Sequence, residues 1–215
     1  MKEFSKKYLD LLTGEFAGIN LTRIDSEEEF YQKQIVDSVL PQEESKIFAN
    51  ALEKTKIMVD IGFGGGFPIL PMAFKNPDKK FLGFDARAKK AQVVQQIADK
   101  LGLKNAKLRH QRFEHILFDV DAVVTFKAVG KISDLLPMFK VMDGVSLYVF
   151  FYKGPNMYEL EEFDELLEKD WKVIEEITYD VPLTEGRTLI GFKNQKVLRG
   201  TKTTEKIIKF STLIS

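Results

Sequence analysis

Met58-Val59-Asp60-Ile61-Gly62-Phe63-Gly64-Gly65-Gly66-Phe67-Pro68 runs from a short apolar segment through a glycine turn into a second apolar segment. Glycine accepts positive φ and carries no Cβ, so a loop this rich in it lets backbone approach another group closely. The helix that follows adds free amides. The dinucleotide-binding pattern Gly-x-Gly-x-x-Gly is not met, because the third position after Gly62 and Gly64 falls on Phe67. The residues fit Asp-x-Gly-x-Gly-x-Gly instead. A second acid, Asp85, closes the run Phe81-Leu82-Gly83-Phe84-Asp85. In a neighbouring parallel strand such an acid lies beside the glycine loop, where its two oxygens can accept both hydroxyls of a ribose. Taken singly, Asp60 could merely end a strand and Asp85 could cap the helix that follows. Together they predict a crevice for a nucleoside-containing ligand at the strand ends of an open α/β sheet.

Outward from this loop, apolar runs alternate with stretches of helical period. Residues 56–61, 80–84, 106–109, 122–126 and 145–151 read as strands, and 68–74, 87–101, 132–139 and 157–169 as helices between them. The alternation predicts crossover units and a mostly parallel sheet covered on both faces. Residues 171–179 and 187–192, joined by a turn with Pro182 and Gly186, predict a closing antiparallel hairpin. Upstream, Phe4, Tyr8, Leu11 and Leu12 repeat at three and four, and Phe30, Gln34, Val36 and Val39 do so less regularly. Ser26 ahead of Glu27, Glu28 and Glu29 suits a helix start, since its oxygen caps orphan amides and the acids complement the macrodipole. The expected organisation is an N-terminal helical extension over 1–55, an α/β domain over 56–193 and a basic tail over 194–215, either mobile or an added helix.

The 215 residues contain 32 basic and 32 acidic side chains, two histidines and no cysteine. Lack of cysteine excludes disulfide scaffolds, thiolate metal sites and cysteine nucleophiles. His110 and His115 alone make a poor ligand set, so no metal is expected. Zero net charge argues against binding nucleic acid by bulk charge, but the charges are segregated. Residues 86–112 hold eight Lys or Arg against one acid, 187–215 hold seven against one, and 159–180 hold ten acids against two lysines. Basic runs of this kind are either solvated faces or places that meet phosphate. The long, nearly uncharged stretch at 57–74 carries Asp60, glycines and prolines and does not suit a bilayer-spanning helix. With no secretory pattern at the start, a cytoplasmic protein without membrane contact is expected.

The continuation Asp60-Ile61-Gly62-Phe63-Gly64-Gly65-Gly66-Phe67-Pro68-Ile69-Leu70-Pro71 resembles the nucleotide loop of S-adenosylmethionine-dependent methyltransferases. Its Phe67-Pro68 and Pro71 resemble the RsmG (GidB) family, which methylates N7 of a guanine in 16S ribosomal RNA. Further elements resemble that family's in order. They are Asn20-Leu21-Thr22, Gln34-Ile35-Val36-Asp37-Ser38, Asp85 with Lys89 and Lys90, Gln111-Arg112-Phe113-Glu114, Thr125-Phe126-Lys127-Ala128-Val129, Tyr152-Lys153-Gly154 and Gly186-Arg187. Gln34 stands where the family usually has histidine. Lys127 stands where it usually has arginine, whose planar fork lysine lacks.

The resemblance implies a Rossmann-like class I methyltransferase fold: a seven-stranded, mostly parallel sheet with an antiparallel C-terminal hairpin, preceded by N-terminal helices. It implies S-adenosylmethionine as cofactor. Asp60, Gly62, Gly64, Gly66 and Phe67 would hold its methionine and ribose part, Asp85 its ribose, and Phe113 with Glu114 would border the adenine. Lys127 would sit beside the cofactor as the catalytic position. Asp37, Ser38, Lys153 and Arg187 would surround the approaching RNA. The implied partner is 16S ribosomal RNA or the small ribosomal subunit, met by a monomer.

Guanine N7 carries an exposed lone pair at neutral pH, so methylation there needs no general base and can proceed by alignment and exclusion of water. A chain without cysteine cannot use the covalent route to cytosine C5. Thr125-Phe126-Lys127-Ala128 also lacks the Asn/Asp-Pro-Pro-aromatic turn common in exocyclic amine methylases. The same fold leaves open a methyltransferase for another RNA, a protein or a small molecule, since fold fixes cofactor better than substrate. It also leaves open a non-catalytic S-adenosylmethionine-binding ribosome-assembly factor. A hydride-transfer enzyme is disfavoured by Phe67.

Overall fold

Central strands buried on both faces need uninterrupted apolar runs, and the runs read above form them. In a computed structural model, which describes residues 1–161, 169–195 and 207–214, they are β1 (Ile57–Ile61), β2 (Lys80–Asp85), β3 (Ala106–His110), β5 (Ala122–Lys127) and β7 (Leu147–Lys153). The hairpin forms as β8 (Trp171–Tyr179) and β9 (Arg187–Asn194). The seven strands lie in the order β3-β2-β1-β5-β7-β9-β8, with β9 antiparallel to both neighbours and every other pairing parallel. Of the helix expected over 157–169, Met157–Leu160 is helical and residues 162–168 fall outside the described residues.

Side chains alternate across the sheet, so Met58, Phe81, Val123 and Phe150 join one core and Val59, Leu82, Val124 and Phe151 the other. The first core is covered by α1 (Lys2–Thr13), α2 (Glu27–Phe30), α3 (Asp37–Glu44), α4 (Lys46–Thr55), α5 (Ile69–Lys75) and α6 (Ala88–Lys100). Ser26 caps α2, its oxygen accepting the Glu29 amide at 3.4 Å. Tyr31–Val36 between α2 and α3 is a π-helix. Its wide turn explains the irregular period seen in the sequence: the buried Phe30 and Ile35 are five residues apart, and Asp37 and Ser38 rotate inward behind them.

A second sheet escaped sequence reading. β4 (Ile116–Phe118) lies between β6 (Lys140–Val141) and β10 (Ile208–Lys209), all parallel. Strands of two or three residues carry no legible alternation. Through β10 and the helical turn Ser211–Ile214, residues 207–214 pack against the second core.

Strand order reverses between β1 and β5. The chain leaves β1 toward β2 and β3, then crosses to β5 and continues the other way. Ligands of open α/β sheets bind at such a switch point, outside the carboxyl ends of the strands. Here those ends are Ile61, Asp85 and Lys127.

Candidate functional site at the carboxyl ends of the strands

The glycine loop begins where β1 ends. Gly62, Gly64 and Gly66 have φ of 71°, 55° and 95°, which side-chain-bearing residues rarely adopt. The glycines nevertheless serve different ends. A Cβ on Gly65 would stand 2.7 Å from the Leu21 carbonyl oxygen, and one on Gly66 would strike the Tyr8 hydroxyl. Those two positions are bare so that the N-terminal helices can close on the loop, and Tyr8 fastens them by donating to the Gly65 carbonyl. A Cβ on Gly64 would meet nothing nearer than 3.9 Å. Gly64 is therefore the open face of the cradle. The Phe67 ring is buried, stacked on Tyr8 at 5.1 Å and edge-on to Phe30 at 5.7 Å, with Lys127 Nζ 6.0 Å from its centroid, so it joins the N-terminal helices to the end of β5.

Asp85 ends β2 directly opposite. Its Oδ1 accepts the Arg87 amide at 2.8 Å and its Oδ2 the Gly64 amide at 3.3 Å. A carboxylate offers about four acceptor positions, so about two remain for a diol. Asp60 lies wholly buried in β1, with Oδ1 accepting the Thr125 hydroxyl at 2.9 Å. Its Oδ2 has no hydrogen-bond partner, although the Ile69 amide at the start of α5 lies close enough to act on its charge. Burial pushes the Asp60 carboxyl well above the usual carboxylate range, against the weaker pulls of Thr125 and Lys127. Phe113 and Glu114 lie in the turn Phe113–His115 after β3, tied to Asp85 by the Gln111 amide, which donates to the Asp85 carbonyl at 3.1 Å. Phe113 is buried against Phe126 and Phe139, while Glu114 is partly exposed and pairs with Arg112.

A second group surrounds the end of β5. Lys127 Nζ lies 2.8 Å from Asp37 Oδ2, out of line for a directed hydrogen bond. Arg187 Nε is 3.3 Å from Asp37 Oδ1, and the Tyr179 hydroxyl donates to that oxygen at 3.4 Å. Asp37 is 1% exposed and thus a buried hub, reaching α3, β5, β8 and β9. Two cations on one carboxylate leave the group positive. They line a cleft of about 290 Å³ with Ala128, Tyr152 and Lys153. Ala128 holds φ of 58°, a strained turn that orients Lys127 at the strand end. Lys153 donates to the Gly130 carbonyl at 2.8 Å and pairs with Glu161.

Ser38 is placed otherwise than the sequence suggested. It is fully buried, its hydroxyl donates to the Gln34 carbonyl and its own carbonyl accepts the Tyr152 hydroxyl at 3.2 Å, so its side chain faces the interior and not the cleft. Tyr8, Thr125 and Tyr152 carry no site role in the sequence reading, where Thr125 and Tyr152 stand only inside elements that resemble the family's. Tyr8 showed only as one apolar position of a helical period, and a buried hydroxyl partner leaves no local pattern.

A family model described as GidB, rRNA small subunit methyltransferase G, matches residues 1–188. The chain belongs to the GidB family. Among its relatives, the ribosomal RNA small subunit methyltransferase G of Lactobacillus helveticus is 34% identical over 210 residues, covering 91% of this chain and 83% of the relative. The protein of the same name from Clostridium perfringens is 37% identical over 162 residues, 71% of this chain and 64% of the relative. Among solved structures, the mitomycin 7-O-methyltransferase MmcR aligns with a TM-score of 0.55 at 13% identity, over 82% of this chain and 60% of that one, which shows the shared fold. The GidB match includes the N-terminal helices that close the glycine loop and stops short of 207–214. GidB membership makes S-adenosylmethionine the cofactor, and the residues fit it. Gly64 gives an open cradle, Asp85 has acceptor capacity left for a ribose, and the unpartnered Asp60 Oδ2 suits a cationic or hydrogen-donating group. Among the described residues no helix is long and apolar enough to cross a membrane, and no His, Cys, Asp and Glu cluster is set to hold a metal.

Proposed function

We propose that this chain transfers the methyl group of S-adenosylmethionine to N7 of a guanine in 16S ribosomal RNA. It does so in the cytoplasm, as a monomer acting on the small ribosomal subunit. The observation that carries the reading is the adjacency, at one switch point, of the open Gly64–Asp85 cradle and the positive cleft of Lys127, Asp37 and Arg187. The match of GidB over residues 1–188 supplies the reaction class.

When bound, the cofactor supplies a methyl group on a cationic sulfur. Asp85 holds the ribose, the backbone at Gly62, Gly64 and Gly66 holds the methionine portion, and Phe113 and Glu114 border the adenine. The unpartnered Oδ2 of Asp60 accepts from the donor's ammonium end, whose positive charge opposes the burial that otherwise favours the neutral carboxyl. Guanine presents O6 and N7 as neighbouring acceptors. Lys127 is the catalytic residue, holding the base at O6 so that N7 stays free to attack. Arg187 and Lys153 meet phosphate at the mouth. Asp37 fixes Lys127 and Arg187, and Ser38 braces the helix that carries Asp37. No residue has to remove a proton before attack, so the protein's contribution is near-attack alignment in a site closed to water.

The test is to incubate the protein with labelled S-adenosylmethionine and small subunits from cells lacking it, then map the label. One 7-methylguanine in 16S RNA is expected. Label at another atom, or in protein, overturns the reading.

A further inference from the structure

Residues 207–214 lie beyond the family match, and the stretch leading to them is polar and basic. Yet Phe210 is fully buried. Its amide donates to the Leu117 carbonyl at 2.9 Å as β10 adds a parallel strand to β4. Asp119 seats the following turn, with Oδ1 accepting the Ser211 amide at 2.8 Å and Oδ2 the Ser211 hydroxyl at 2.6 Å.

From Phe210 a line of ring contacts leads into the candidate site. Phe210 meets Phe118 at 5.0 Å, Phe118 meets Phe139 at 5.5 Å, Phe139 meets Phe113 at 5.1 Å, and Phe113 meets Phe126 at 5.7 Å. The backbone follows the same route, because the turn Phe113–His115 runs straight into β4. On the other edge of β4, Lys140 of β6 donates to the Glu114 carbonyl. A strand of three residues flanked by two strands of two is too short to hold its place alone. The rings and the Asp119 cap hold it.

We propose that residues 207–214 form a clamp that fixes Phe113 and Glu114 for the cofactor's adenine, with Phe210 as the positioning residue. This rests on the reading that Phe113 and Glu114 border that base. A turn already fixed by packing need not be ordered when ligand arrives, so the clamp appears in affinity and not in stability alone. The tail is then a part of the cofactor site that the sequence places farthest from it.

The test uses full-length Phe210→Ala, Asp119→Ala and Phe113→Ala proteins, with titration calorimetry against S-adenosylhomocysteine and adenosine. Hydrogen exchange is followed on the ligand-free proteins. Phe210→Ala is expected to weaken both ligands by about tenfold, the scale of ordering one or two side chains on binding. The amides of residues 113–118 should exchange faster while those of 62–66 keep their protection. Asp119→Ala, which removes the cap without opening a core cavity, should shift both readouts the same way by a smaller factor. It also keeps the proposal testable if Phe210→Ala fails to fold. Unchanged affinity in the folded Phe210→Ala and Asp119→Ala proteins, with Phe113→Ala still weakened, overturns the clamp. Unchanged affinity in Phe113→Ala overturns instead the placement of the adenine on which it rests.

Discussion

Replacing Asp85 with alanine removes a carboxylate that accepts two backbone amides and has about two acceptor positions left. The loss divides into two separable parts. In the free protein, the Arg87 amide lies next to solvent and regains a water partner, and the Gly64 amide gives up only a long 3.3 Å contact. The expected cost in stability is therefore about 1 kcal/mol, at the lower end of the range for an unmade hydrogen bond. In the complex, the ribose loses a charged acceptor, worth about 1.5 to 3 kcal/mol. That corresponds to a rise of roughly 10- to 150-fold in the dissociation constant of S-adenosylhomocysteine. Titration calorimetry at 25 °C reads the second part, and urea unfolding of the ligand-free protein reads the first. Asp85→Asn, which keeps one acceptor oxygen but turns a donor toward one of the amides, should fall between wild type and alanine in affinity. An alanine variant that binds with wild-type affinity would place the sugar elsewhere.

Other perturbations separate the remaining groups. Because burial raises the Asp60 carboxyl in the folded protein, its contribution to stability is fully present below the ordinary carboxylate range and is lost as pH rises toward the folded value. Relative to wild type, Asp60→Asn should thus gain stability between pH 4.5 and pH 7.5 in urea unfolding while binding S-adenosylhomocysteine more weakly; parallel pH profiles would contradict this. Gly66→Ala combines an unfavourable φ with a Cβ against Tyr8 and should lose about 2 to 4 kcal/mol by urea unfolding. Gly64→Ala has the strain without the clash and should lose about 1 to 2 kcal/mol, with a larger loss of cofactor affinity than of stability. Lys127→Ala should cut methyl transfer at least about tenfold with little change in S-adenosylhomocysteine binding, since it removes a contact proposed to act on the base. Lys127→Arg should keep activity; a defect of Lys127→Ala confined to thermal stability would return the lysine to a structural role.

Much of this architecture is written locally in the chain. The alternation of apolar runs with helical period gave β1, β2, β3, β5 and β7 within two residues of their ends, because strands buried on both faces have no other way to be composed. Asp60 and Asp85 could be placed on neighbouring strand ends because parallel pairing with a glycine turn leaves few alternatives. What stayed hidden depends on contacts between distant segments. The π-helix at Tyr31–Val36 moves Asp37 from a surface position to a buried hub, and a periodicity of 3.6 cannot anticipate it. That a Cβ on Gly65 or Gly66 would strike Leu21 or Tyr8, which lie more than forty residues upstream, leaves no local signal beside the glycine loop itself. β4, β6 and β10 are too short to show a pattern, so the return of residues 207–214 to the core appears only in three dimensions. The contacts of the Phe67 ring with Tyr8, Phe30 and Lys127 likewise join segments that are distant in the chain.

Determining the structure of the protein bound to S-adenosylhomocysteine bears most directly on the claim that one crevice holds the donor next to the cationic cleft. The account predicts the ribose on Asp85, the homocysteine backbone over Gly64 toward Asp60, the adenine beside Phe113, and the sulfur facing Lys127. Binding of the same ligand away from residues 62–66, with Asp85 still holding only the Gly64 and Arg87 amides, would contradict it.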